Sequence, residues 1–239
     1  MSWRLRRYLS LPSTSDLCIE LARAGEPEGL AVLAGRQTAG RGSRGRTWES
    51  PPGALCLSVL LRPRDPPSAS GHWALLSALA LYEALSRFAA DGALSLKWPN
   101  DVLIHGSKAG GILLDAAVGP EVFDWLVIGF GANLATAPET AGESAGALGM
   151  AVEPGLVAEA LLEQIDRWRR VRLVEGWSAV RAAWLARAHP AGTPLRVRSG
   201  TLNTAGAFDG LGEDGALLLR AGGRVRAFAT GDVLLGREG

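Results

Sequence analysis

Gly35-Arg36-Gln37-Thr38-Ala39-Gly40-Arg41-Gly42-Ser43-Arg44-Gly45-Arg46-Thr47-Trp48-Glu49-Ser50-Pro51-Pro52-Gly53 lies between two apolar runs, residues 30–34 and 54–61. Each run has the length and composition of a buried strand. The glycines between them permit positive φ and a close approach of backbone to a ligand. The arginines supply forked donors for phosphate or carboxylate. Together they read as an anion cradle, although a mobile surface loop or an Arg/Gly tract for RNA has the same composition. It is not a Walker loop, because residues 40–46 lack the Gly-Lys-Ser/Thr ending. It is not a dinucleotide fingerprint either, because Trp48-Glu49-Ser50-Pro51-Pro52 blocks the helix that should follow. Strands joined by such a loop, with helices kept apart from them, point to an α+β fold rather than alternating βαβ units.

Upstream, Ser13-Thr14-Ser15-Asp16 is an N-cap cluster that opens a short helix closed by Gly25. Residues 1–10 carry Arg4, Arg6 and Arg7 and show no apolar stretch of signal-peptide length. Downstream, residues 73–88 have helical spacing. Residues 94–96, 102–104, 111–117 and 123–130 read as strands, and 134–149 as a loop of small residues. Two amphipathic helices follow at 156–171 and 174–188. Beyond His189-Pro190 come short alternating runs at 195–197, 205–208, 216–219 and 225–229, separated by glycine turns. The expected division is therefore residues 1–189 and a small all-β unit at 190–239.

The 239 residues carry a net charge of +1, which gives no basic field for nucleic acid. No apolar run reaches membrane-span length, and Cys18 and Cys56 fit small buried hydrophobes rather than a disulfide framework. The expectation is a cytoplasmic protein without membrane association. Among 25 basic residues only Lys97 and Lys108 are lysine. Either this is chance in an arginine-biased chain, or a compact ammonium is required there that a planar guanidinium cannot replace.

Lys97-Trp98-Pro99-Asn100-Asp101 sits between two short strands, as a tight turn with a packed tryptophan or as a lysine, an amide and a carboxylate converging on one point. Ser107-Lys108-Ala109-Gly110-Gly111-Ile112-Leu113 puts the second lysine at the mouth of a strand whose glycines admit a close neighbour. Gly129-Phe130-Gly131-Ala132-Asn133 ends another strand. His72, His105 and His189 show no metal-ligand spacing, and no Ser-His-Asp or Cys-His arrangement is visible.

In order and spacing, the segments 40–46, 97–101, 108–113 and 129–133 resemble those of biotin–protein ligases, as do Ser13-Thr14 and Thr230-Gly231-Asp232-Val233 in the tail. The resemblance implies a mixed β-sheet catalytic domain with flanking helices, similar to class II synthetases and biotin–lipoate ligases, plus a small C-terminal β-barrel. It implies activation of biotin by ATP, with Mg2+, to biotinyl-5'-adenylate, and transfer to a lysine of a carboxylase's biotin carboxyl carrier protein. Ser13, Thr14, Ser15, Gln37, Gly40, Gly42, Ser43 and Gly111 would surround biotin. Arg41 and Lys108 would meet its carboxylate and the α-phosphate, with Lys97 and Asp101 organising the reacting centre. Arg44, Arg46, Trp48, Asn100 and Asn133 would hold the nucleotide, with the residue 40–46 loop closing by a disorder-to-order step once an anion relieves repulsion among its arginines.

Many relatives have Arg where this chain has Ser43, and Asn where it has Ser15. The expected consequence of Ser43 is a leakier adenylate. Only a dozen residues precede Ser13, too few for the DNA-binding module that some relatives carry, so no DNA binding is expected; a homodimer is an open expectation. The rivals are a lipoate-type ligase and a non-catalytic nucleotide- or RNA-binding module.

Overall fold

A computed structural model describes residues 2–138 and 145–235. One sheet carries the chemistry-bearing segments. Its strands are β1 (Arg4–Tyr8), β2 (Leu30–Ala34), β3 (Leu55–Leu61), β4 (Leu94–Lys97), β5 (Asp101–Ile104), β6 (Ser107–Val118) and β7 (Phe123–Ala132). Their order is β1-β2-β3-β7-β6-β5-β4, with β1 parallel to β2 and all other pairs antiparallel.

Helices cover both faces. Helix α1 (Thr14–Arg23) packs Cys18 and Ala22 against Leu30, Val32, Leu60 and Val127. The alternate strand residues, Ala31, Leu33, Leu57 and Val59, meet α2 (Ser70–Ser86) and α3 (Pro154–Glu175). Sandwiching explains why every residue of β2 and β3 is buried and why both read as unbroken apolar runs. A glycine at positive φ, Gly176, separates α3 from α4 (Trp177–Leu185).

The basic N-terminal segment, to which no element is assigned from its pattern, is strand β1. It lies at the sheet's edge, where arginine side chains in water are tolerated and discourage pairing with another chain. Through α1 it makes the sheet's one parallel crossover among the described residues.

The C-terminal strands β8 (Pro194–Ser199), β9 (Leu202–Leu211), β10 (Leu217–Ala221), β11 (Arg224–Phe228) and β12 (Asp232–Leu235) form a second, antiparallel sheet in the order β11-β10-β9-β8-β12. The last strand escaped the reading, because Asp232–Leu235 is four residues long and offers little alternation. Leu195, Val197, Phe208, Leu217 and Val233 join the main core, so the two sheets share one apolar interior. Trp98 crosses between them and donates its indole N–H to Gly215 O at 3.0 Å.

Candidate active site

On its α1 side the sheet has a floor without side chains. Gly111 of β6 lies opposite Gly131 of β7, and Gly129 lies opposite Ser58 of β3. A Cβ at residue 129 would stand 2.5 Å from Ser15 Oγ, and one at residue 131 would stand 2.4 Å from the Trp48 ring. These positions need glycine because other groups already press on the backbone.

Over this floor runs a chain of hydroxyls. Ser13 caps α1, its Oγ accepting from Asp16 N at 3.2 Å, and so fixes the helix start. Gln37 Oε1 accepts from Thr14 N at 2.8 Å and from Thr14 Oγ1 at 3.0 Å. Thr14 Oγ1 then accepts from Ser58 Oγ at 2.7 Å, and Ser58 Oγ from Ser15 Oγ at 3.0 Å. The relay orients each dipole and leaves the Gln37 amide N–H2 as a donor. Thr14, Ser15 and Gln37 line a narrow slot that continues past Gly111 to Lys108; Ser13 supports it from behind. Ser58 is a member the sequence reading missed. Its signal was a lone polar residue inside Leu-Cys-Leu-Ser-Val-Leu-Leu.

The Gly/Arg segment is an ordered flap. Arg41 and Thr47 form an antiparallel bridge, Gly42 N donates to Arg46 O at 2.7 Å, and Trp48 N donates to Gly40 O at 2.9 Å. A single 3-10 turn at Ser43–Gly45 forms the tip, with Arg44 at φ +58° and Gly45 at φ +73°. Each of the arginines Arg41, Arg44 and Arg46 meets a carboxylate of the chain, which offsets the repulsion expected among them. Arg41 binds Asp115 through both terminal nitrogens, at 2.9 and 3.2 Å, and reaches Asp16 at 2.8 Å. The hydrogen bonding of Arg41 to Asp115, foremost, and the charges of Asp115 and Asp16 raise the Arg41 pKa against the opposing cost of burial. Arg44 pairs with Asp232 of β12, and Arg46 reaches the same carboxylate at 3.5 Å and Ser43 Oγ at 2.9 Å.

The chain's two lysines converge on one buried carboxylate. Asp101 is 7% exposed; Lys108 Nζ lies 2.7 Å from its Oδ1 and Lys97 Nζ 3.1 Å from its Oδ2. Hairpin pairing of Lys97 with Asp101 and the β5–β6 pairing of Leu103 with Lys108 create this triad. Asn100 staples it from behind, donating Nδ2 to Ile112 O at 2.5 Å. Gly146 N donates to Lys108 O at 2.8 Å, so the loop after β7 pins Lys108 from the other side. Residues 139–144 of that loop, which the sequence reading assigned to a loop, lie outside the described residues.

Beside the slot lies a second cavity of about 220 Å3, lined by Ser43, Arg44, Arg46, Lys97, Asn100 and Asp101 together with Thr230, Gly231 and Asp232 of the C-terminal sheet; Ser43 and Asn100 line both, and Lys108 reaches it from the slot side through its pairing with Asp101. Trp48 lies between the flap and Gly131, with Lys108 Nζ 5.8 Å from its ring centre. Gly40 and Gly42 shape the flap itself. Asn133 lies apart from both cavities: it is 2% exposed, donates Nδ2 to Gly146 O at 3.0 Å, and leaves Oδ1 a buried acceptor without a partner. Asp16, Asp115 and Asp232 were not singled out as site residues in the sequence, since nothing local distinguishes them from surface acids. Among the described residues no cluster of three or more His, Cys, Asp or Glu is placed to hold a metal ion.

Residues 10–133 match the model of the biotin/lipoate A/B protein ligase family. A biotin–[acetyl-CoA-carboxylase] ligase of Paracoccus denitrificans is 37% identical over 86% of this chain and 90% of its own length. A ligase of the same description from Mycobacterium tuberculosis is 32% identical over 93% of this chain and 85% of its own. A biotin protein ligase from Aquifex aeolicus, solved with biotin and ATP, superposes with a TM-score of 0.84 at 26% identity, over 98% of this chain and 99% of its own.

Proposed function

The chain belongs to the biotin/lipoate A/B protein ligase family, and from that premise we infer that the hydroxyl-lined slot takes biotin and the adjoining cationic cavity takes the phosphates of ATP. The reaction is activation of biotin to biotinyl-5'-adenylate with release of pyrophosphate, then transfer of biotin to a protein lysine with release of AMP. The observation that carries the site assignment is that Lys108, which lines the slot, shares Asp101 with the only other lysine, Lys97, and that Lys97 and Asp101 line the second cavity.

Biotin's ureido ring needs donors and acceptors at fixed angles, which Thr14, Ser15 and Gln37 offer from one buried relay, with Ser13 fixing their helix. Gly111 and its glycine neighbours let the ring lie against the sheet. A lipoyl group has no polar ring to match that relay, so lipoate is the weaker reading. An RNA-binding tract is weaker still, since a net charge of +1 gives no basic field for nucleic acid.

The carboxylate of biotin attacks a phosphorus that is itself surrounded by negative charge. A fixed ammonium, Lys108, offsets that repulsion and stabilises the charge that develops on the α-phosphate. Lys97, Arg44 and Arg46 face the departing pyrophosphate, and Asp101 holds both lysines at their stations. Arg41 contributes shape more than free charge, being shared between two carboxylates. Gly40, Gly42 and Ser43 bring the flap's backbone over the adenylate. Trp48 gives the adenine a flat neighbour, and Asn100 ties the β4–β5 turn to β6; Asn133, buried apart from both cavities, is given no contact with the nucleotide. Mg2+ would arrive with ATP, held by phosphate oxygens and water, with Asp101 and Asp232 as the carboxylates lining that cavity.

The acceptor is a biotin carboxyl carrier domain of a carboxylase. Strand β6 runs for twelve residues, yet β5 pairs with it only as far as Gly111 and Asn100 takes up both backbone groups of Ile112, so residues 113–118 present an edge without a neighbouring strand next to the slot. A carrier strand added there would bring its lysine to the adenylate. A second copy adding to the same edge would give a homodimer. We place the domain boundary between residues 189 and 190, the last four residues of the second unit lying outside those described. No described helix is long and apolar enough to cross a membrane. With a net charge of +1 the chain is assigned no DNA contact, and a reaction between ATP and a carboxylase carrier is assigned to the cytoplasm.

The test is transfer to a purified carrier domain, with biotin and lipoate offered in parallel. Biotin- and ATP-dependent modification of one lysine is the expected result. Modification by lipoate alone would move the assignment to the lipoate branch.

A further inference from the structure

We propose that Asp16 and Asp115 are positioning residues that act through Arg41 to hold the flap shut over the biotin end of the slot, and so set how long the adenylate is retained. This rests on the biotin reading of the slot. Three separate pieces of chain meet at one guanidinium: the flap carries Arg41, the first turn of α1 carries Asp16, and β6 carries Asp115. Isolated surface ion pairs contribute little, but a bidentate arginine shared by two carboxylates is the exception, because its geometry is fixed in two directions.

The place matters as much as the pairing. Along β6, residues 111, 113 and 115 point to the same face. Gly111 adjoins Lys108, Leu113 lines the slot, and Asp115 stands beyond it, about 13 Å of strand from Gly111. Arg41 therefore closes the end of the slot remote from the lysines. One guanidinium between two carboxylates leaves that end with excess negative charge, whereas the Lys97–Asp101–Lys108 end carries excess positive charge. An anionic group is steered toward the lysines and a neutral ring toward the clasp. The same contacts tie the flap to the helix that presents Thr14 and Ser15, so opening the flap and loosening the relay are one event.

The experiment compares the native protein with Asp115→Asn, Asp16→Asn, Asp115→Glu and a control, Glu159→Gln, which breaks an exposed pair with Arg7 far from the slot. Readouts are KM for biotin and for ATP in biotin-dependent ATP–pyrophosphate exchange, and the rate at which biotinyl-adenylate leaves the protein. Asp115→Asn should raise KM for biotin and the adenylate departure rate about five- to tenfold, with KM for ATP changed less than about twofold, as loss of one bidentate charge-assisted contact implies. Asp16→Asn should give a smaller change in the same direction, and Asp115→Glu should recover most of the loss. The control should match the native protein. Native KM for biotin and native departure rate in both Asn variants would overturn the proposal while leaving the biotin reading intact. Equal rises in both KM values would overturn it too, as general damage. Absence of biotin-dependent exchange in the native protein would remove the biotin reading and this proposal together. If Asp115→Asn does not fold, Asp115→Glu and Asp16→Asn decide the matter by the same criteria.

Discussion

Replacing Asp101 with Asn tests the electrostatic centre of the site. The carboxylate is nearly buried, and it is the counter-charge for two ammoniums at 2.7 and 3.1 Å. One such contact near 3 Å, at an effective dielectric of about 20, is worth roughly 5 kcal/mol before the cost of desolvation. Removing one partner of a buried pair typically costs about 3–5 kcal/mol net, because the charge left behind is unpaired. Asn keeps the shape but offers a neutral carbonyl to only one lysine. Since the Lys108 side chain is 24% exposed and regains some water, the lower end applies, about 3 kcal/mol. For a chain of this size that lowers Tm by roughly 6–12 °C. Thermal unfolding at pH 7 measures it directly. ATP should stabilise the variant more than the native protein, because its phosphates replace the missing carboxylate between the lysines. A variant Tm within about 2 °C of native, or an ATP shift no larger than the native one, would refute the triad as a buried charge balance.

Ser43 lines both cavities, and Ser43→Arg should slow departure of the adenylate, about five- to tenfold for one added charge-assisted contact; a rate no slower than native, from rapid-filtration assays, contradicts the expected leak. Gly129→Ala should break the Ser15–Ser58 hydrogen bond, lowering stability by about 1–3 kcal/mol and raising KM for biotin more than KM for ATP. Burial pushes the Cys18 thiol up to about 12, against the smaller opposing effect of the Arg6 charge. Cys18 should therefore resist alkylation at pH 8 until the protein unfolds, as followed by mass spectrometry. Because its folded pKa lies above the unfolded value of 9.0, its contribution to stability is intact below pH 9 and is lost as the pH rises toward 12. Cys18→Ala should flatten that part of the stability curve.

The sequence made some of this site legible for chemical reasons. Lysine in a chain otherwise committed to arginine marked the two ammoniums, and both turned out to share Asp101. The proline pair after Trp48 excluded a helix and so excluded nucleotide folds built on βαβ units. Binding partners supplied by distant chain were not legible. Asp16 reads as part of a helix cap, Asp115 as a polar residue within the 111–117 strand and Asp232 as one residue of the tail segment 230–233; only the folded chain brings them to Arg41, Arg44 and Arg46. Those carboxylates offset the repulsion that the arginines of the flap would otherwise exert on one another. Strand β1 was hidden because an edge strand with arginines on it lacks the apolar run that marks β2 and β3.

The most direct test of the account is the formation of biotinyl-5'-adenylate from biotin and ATP by the native protein and by Lys108→Met, whose Asp101 keeps Lys97 as counter-charge and whose fold should therefore persist. The account expects robust adenylate formation by the native protein and a loss of about 10²–10³-fold in the variant, the effect of removing one preorganised charge from the transition state. A folded Lys108→Met protein that makes adenylate within about fivefold of the native rate would contradict the assignment of Lys108 to the reacting centre.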